Sequence, residues 1–219
     1  SGVIYNAHSS TVGVATGAIT LTADSLFKSD AGAGLRLGSP ISGAYALTVT
    51  GANNSFDSTT PFLNSGALTL GASGSDSFSF TNGASITTPS SLNLAGTLTT
   101  GSNNALTLGD ANTALVLTAA TTLNSGTGMT TLGGAVSGGY AFTVSGPATL
   151  NGGTVNTGSA EQIYAGPVTL GADTTLSADT ANVTLSSTIN GAYALAVNST
   201  GTTTFGGAIG GGTALTSVT

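Results

Sequence analysis

The stretch "ISGAYALTVTG" at residues 41–51 returns as "VSGGYAFTVSG" at 136–146 and as "INGAYALAVNS" at 189–199. Three of the five tyrosines, Tyr45, Tyr140 and Tyr193, fall in this phrase, in a chain with one His, no Cys and no Trp. A catalytic loop is needed once, whereas a phrase written three times is a building unit. After each tyrosine, apolar and small polar residues alternate with the period of a strand. Leu47 and Val49, Phe142 and Val144, and Leu195 and Val197 therefore share one side of their strands and are expected to point inward.

The same alternation runs through "AITLTAD" (18–24), "ALTLG" (67–71), "SFSFT" (77–81), "SLNLAGTLTT" (91–100), "PVTLG" (167–171) and "NVTLS" (182–186). Thr, Val and Ile restrict χ1 and suit a pleated surface. Gly, Asn, Asp and Pro separate the runs, so strands of about 4–6 residues are expected. The longest segment free of Gly and Pro near "ANTALVLTAATTLN" (111–124) is crowded with Thr and carries no i, i+3, i+4 stripe. Almost no helix is expected.

The match widens around the outer pair of phrases. "AITLTADSLF" (18–27) precedes Tyr45 as "PVTLGADTTL" (167–176) precedes Tyr193. A unit beginning near "VIYNAHSS" restarts near "QIYAGPVT", giving expected long repeats near 3–73 and 162–219 and a related unit near 105–161. One small strand-and-corner unit cannot bury its apolar side alone, but stacked copies form a continuous core. The chain is expected to be a single repetitive segment over 1–219, all-β, a right-handed parallel β-helix of ten rungs. Leu, Val, Ile and Phe would lie inside and Thr, Ser and Asn outside, with the repeated tyrosines stacked at one angular position. The rival is an antiparallel sandwich, for which short, regularly spaced strands are equally expected. "SFSFTNGASITT" (77–88) even reads as a hairpin with an Asn-Gly turn. The near-regular repeats favour the solenoid.

Composition excludes several functions. Charged residues make up 5% of the 219 residues, against roughly 25% in ordinary soluble domains. With a net charge of −6 and only Lys28 and Arg36 as basic residues, a nucleic-acid partner is not expected, since a run of phosphates could not be neutralised. No apolar run approaches the roughly 20 residues of a membrane-spanning helix. Aromatic residues at 5% are few for the two girdles of a membrane barrel.

Candidate chemistry is thin, and no enzyme activity or cofactor is expected. His8, beside Ser9 and Ser10, is the only imidazole, but a hydrolytic triad also needs a buried orienting carboxylate and an oxyanion hole. Lys28 and Arg36 lie in "FKSDAGAGLRLG" (27–38) with Asp30 and read as a charged loop, where a carbohydrate-cleaving β-helix would gather acids and bases on one face. "GASGSDSFS" (71–79) approaches the calcium nonapeptide of tandem β-helix repeats, with Ala72 in place of its second Gly. Asp76 is thus a weak metal candidate, and the absence of a second copy favours a plain Gly/Asp turn. Asp24, Asp57, Asp110, Glu161, Asp173 and Asp179 are scattered along the chain.

The phrases "GAYALTV", "GAYALAV", "VTLGADTTLSA" and "TTTFGGAIGGGTALTSVT" resemble the β-strand repeats of giant bacterial surface proteins of the filamentous-haemagglutinin and autotransporter-adhesin class. The similarity covers most of the chain and is best over 160–219 and 15–60. It implies secretion, a β-solenoid stalk and a structural or adhesive role at the cell surface, and it brings no catalytic residues. Expected partners are copies of the chain or flanking repeats of it, with surface polysaccharide as a further possibility. The alternative is a carbohydrate-binding or carbohydrate-active β-helix. Because the chain starts and stops inside its own repeat, it reads as a fragment of something longer.

Overall fold

The computed structural model describes residues 2–6, 13–15, 17–29 and 34–219, with the backbone alone described for 2–6, 13–15 and Ser102. The 28 strands among the described residues are short except for Ser91–Thr100 and Ala114–Asn124, and every pairing between named strands is parallel. Among the described residues there is no α-helix, and Gly101–Asn103 forms one 3₁₀ turn. The strands stack in about 9 turns of a β-solenoid, roughly 45 Å long at an inter-strand spacing of about 4.8 Å. The expected all-β parallel solenoid is the fold.

Each turn presents up to three strands, which align into three faces. Face 1 includes Ser25–Ser29, Leu47–Thr50, Leu68–Leu70, Thr174–Asp179 and Ala194–Ser199. Face 2 includes Leu35–Leu37, Asn54–Phe56, Ser77–Phe80, Phe142–Val144, Gln162–Tyr164 and Val183–Leu185. Face 3 includes Ile41–Gly43 and Phe62–Asn64, then a separate run from Ala84–Ile86 to Ile189–Asn190. Ser91–Thr100 and Ala114–Asn124 run unbroken from face 1 onto face 2, with a register shift between Leu94 and Gly96 where they round the edge. A turn is not a fixed length: Leu92 follows Leu68 by 24 residues and Val155 follows Val136 by 19.

The alternation in the sequence sets what stacks. On face 1, Leu47, Leu68, Leu92, Leu115, Val136, Val155, Leu176 and Val197 form one column in register. All but Val197 are buried, and Val197 packs against the core while partly exposed. On face 2, Phe56 stacks on Phe80 with ring centroids 5.2 Å apart, and Phe62 meets Phe56 edge-on at 5.0 Å. Fully enclosing a Leu or Phe side chain contributes about 1.5–3 kcal/mol, and one apolar cluster links all the faces from Leu21 to Leu195.

Three sequence expectations differ from the structure. The Asn-Gly of "SFSFTNGASITT" makes no hairpin: Ser77–Phe80 lies on face 2, Ala84–Ile86 on face 3, and both pair in parallel with other turns. Gly83, at φ +78°, supplies the left-handed bend at the edge between them. Lys28 and Arg36 do not belong to a loop but to the strands Ser25–Ser29 and Leu35–Leu37, and Asp30 lies outside the described residues. The two long repeats coincide in three dimensions from Ile19 and Val168 onward, over faces 3, 1 and 2 in turn. Residues 3–5, however, lie on face 1 and 162–164 on face 2.

Candidate functional site: the repeated corners and the scattered carboxylates

The thrice-written phrase is a corner. Gly43, Gly138 and Gly191 have φ of +122°, +144° and +133°, which L side chains rarely adopt. A Cβ on them would lie 2.5, 2.5 and 2.4 Å from the carbonyl oxygens of Leu21, Leu117 and Leu170, one turn away. Glycine is therefore required twice over, by backbone conformation and by close approach. Two residues later the tyrosine projects outward: Tyr45, Tyr140 and Tyr193 are 43%, 44% and 39% exposed. Leu47, Val49, Phe142, Val144 and Leu195 follow on the inside, each at most 1% exposed.

The tyrosines do not stack at one angular position. Tyr45 and Tyr193 occupy the edge between faces 3 and 1, whereas Tyr140 lies between Val136–Ser137 on face 1 and Phe142–Val144 on face 2. Tyr45 and Tyr193 are seven turns apart, about 34 Å along the axis. The corner unit can be set at either edge, and its three copies do not converge on one site.

Around the outer two corners a carboxylate from the preceding turn completes the unit. Asp24 Oδ1 accepts a hydrogen bond from the Ala46 N–H at 3.0 Å, and Asp173 Oδ1 accepts one from the Ala194 N–H at 2.9 Å. Each Asp thus ties the residue after Tyr45 or Tyr193 to the turn before it. Tyr140 has no acidic partner of this kind among the described hydrogen bonds.

Asp57, Asp110 and Asp76 are also used locally. Asp57 accepts from Thr81 Oγ1 at 2.7 Å and from Arg36 Nε at 2.9 Å. The Thr81 hydrogen bond above all, with the Arg36 guanidinium adding to it, holds its carboxyl below the usual value against the opposing effect of burial. Asp110 is lowered as well, by hydrogen bonds from the Asn112 N–H and the Thr113 hydroxyl, both at 2.9 Å, in a side-chain-capped turn. Asp76 Oδ2 accepts from the Ala72 N–H at 2.8 Å, closing the 72–76 loop. No group of three His, Cys, Asp or Glu side chains converges among the described residues, and His8 lies outside them. The 72–76 loop overhangs face 1, bounding an open depression of about 480 Å³ lined by Leu26, Lys28, Thr50, Ser73, Ser75 and Asp76.

One polar cluster went unread in the sequence. Gln162 and Tyr164 occupy inner positions of face 2 and are both fully buried. The Tyr164 hydroxyl donates to Gln162 Oε1 at 3.2 Å, and Gln162 Nε2 donates to the carbonyls of Val155 and Ser177 and to Thr157 Oγ1. Burial pushes the Tyr164 phenol well above its ordinary value, so it stays protonated and remains a donor. The signal available in "QIY" was a polar residue at an inward position of the alternation. The cluster is closed on itself and faces no cavity.

No helix among the described residues is long and apolar enough to cross a membrane. No protein-family model, curated protein or solved structure matches the chain.

Proposed function

We propose that the chain is a non-catalytic structural and adhesive segment of an extracellular bacterial surface filament, stalk or sheath. The observation that carries this reading is a core continuous from Leu21 to Leu195, in which successive turns repeat the hydrogen-bond edge and the apolar pattern of the last. Such a stack is extended by adding turns, with no change of plan. The outward Thr, Ser and Asn side chains keep such a rod soluble with few ions.

Two measurements test this reading. Antibody labelling of intact source cells is expected to show the protein at the surface, and a purely intracellular signal overturns the proposal. Sedimentation of residues 1–219 is expected to show particle mass rising with concentration. A monomer that stays monodisperse at high concentration counts against self-association.

The depression beside Lys28 and Asp76 favours carbohydrate binding as the second reading, because it sets hydroxyls and one charge of each sign around the apolar Leu26 side chain. Titration with surface polysaccharide should then lose its signal in Asp76→Ala, and an unchanged titration removes this reading.

A further inference from the structure

Met129 is the only methionine, and with no cysteine in the chain it holds the only sulfur. It sits at the edge between faces 2 and 3, directly before the strand Thr130–Leu132, and is 40% exposed. Its carbonyl accepts from the Leu106 N–H at 2.9 Å, so the backbone is held in the ladder while the thioether stands outside the core. From the neighbouring turn the Thr149 hydroxyl donates to Met129 Sδ at 3.3 Å.

We infer that Met129 is a site of reversible oxidation by hydroperoxides that the fold tolerates, an inference independent of the filament reading. A sulfur lone pair attacks a peroxide oxygen, the O–O bond breaks and an S–O bond forms. The displaced alkoxide or hydroxide takes a proton and leaves as alcohol or water. Sulfur is oxidised by two electrons and the peroxide is reduced by two; a methionine sulfoxide reductase reverses the change. A buried thioether would disrupt its surroundings on becoming polar, but here the new oxygen emerges into solvent. The sulfoxide oxygen is a stronger acceptor than the weakly accepting thioether, and the Thr149 hydroxyl already points at the group. The core, built without sulfur, is left untouched while oxidant is consumed outside it.

The test treats the whole chain with hydrogen peroxide beside free methionine and reads intact mass, peptide map and thermal melting. Expected are one added oxygen at Met129, an unchanged melting temperature and full reversal by the reductase. Met129→Leu should gain no oxygen and melt as the parent does. Oxidised Thr149→Val should melt below its own unoxidised form, which a passive surface threonine would not cause. Met129 left intact after the free methionine is consumed overturns the inference. So does lowered melting of the oxidised parent, oxygen uptake by Met129→Leu, or oxidised and unoxidised Thr149→Val melting alike.

Discussion

Leu115, Val116 and Leu117 are three consecutive apolar residues in the strand Ala114–Asn124, and the stack decides which of them matter. Leu115 is 0% exposed and lies in register between Leu92 and Val136. Val116 points outward, half-buried, between Asn93 and Ser137. Leu115→Ala leaves a cavity where neighbouring turns cannot readily collapse and is expected to cost about 2–5 kcal/mol. Val116→Ala removes two methyl groups from a partly solvated surface and should stay within about 0.5 kcal/mol of the parent. Urea unfolding followed by far-UV circular dichroism measures both, comparing midpoints at a common slope. Because each turn contacts only its neighbours, the Leu115→Ala loss should lower stability without changing strand content before the transition. Equal costs, or a larger cost for Val116→Ala, would falsify the assignment. The strand would then be displaced by an odd number of residues, which reverses every inward and outward position it carries.

Four further outcomes are expected. Gly191→Ala, forced to φ +133° against the Leu170 carbonyl, should destabilise by more than about 1 kcal/mol, and an unaltered denaturation midpoint would remove the corner's need for glycine. Tyr164→Phe leaves Gln162 Oε1 buried without its donor, costing about 1–3 kcal/mol in the same assay; a neutral result would show that another donor reaches it. Asp57 has a folded-state value below the ordinary 3.8, so its contribution is present above that value and lost as pH falls through the lower folded one. Melting temperatures of parent and Asp57→Asn should therefore draw together as pH falls below about 4, and a gap that does not narrow on further acidification refutes the linkage. Addition of EDTA should leave the melting temperature unchanged, because Asp76 spends an oxygen on the Ala72 N–H; a drop would assign a metal to the 72–76 loop.

The period of two was legible because burial enforces it. In "ALTL" and "YALTV" every second residue must be apolar, and Leu68, Leu70, Leu47 and Val49 are all 0% exposed. The corner phrase was legible because its glycine meets a carbonyl of the adjacent turn at every occurrence. The edge on which each copy falls was not. Turns vary from 18 to 25 residues, so a separation in sequence does not convert into an angle. From Tyr45 to Tyr140 the chain completes four turns and one further face, and the phrase arrives at a different edge. Equivalent residues also slide along a face. Leu47 and Leu195 hold the same place in the phrase, yet the column containing Leu47 runs through Leu176 to Val197. The displacement is two residues, the smallest slip that keeps inside and outside apart.

The inside of this solenoid is constrained far more tightly than its outside. An inward position is apolar or, as at Gln162 and Tyr164, spends its polar atoms within the stack, with Asn64 Oδ1 the one buried side-chain oxygen left unpaired among the described residues. An outward position need only suit a strand, and Thr, Ser, Asn, Val116, Lys28 and Arg36 all meet that condition. Fold is written in the constrained half of the residues, so periodicity exposed it; a binding surface would be written in the permissive half. The carboxylates illustrate the difference. Asp24, Asp110 and Asp173 look alike in sequence as acids beside Gly or Ala, and Asp57 sits among serines and threonines. In three dimensions Asp24 and Asp173 tie a corner, Asp57 joins an arginine to a threonine, and Asp110 caps its own turn. All four contribute to holding one turn to another or bending a single turn, and none is aimed at a common point in solvent. In these four acids side-chain chemistry serves the stack.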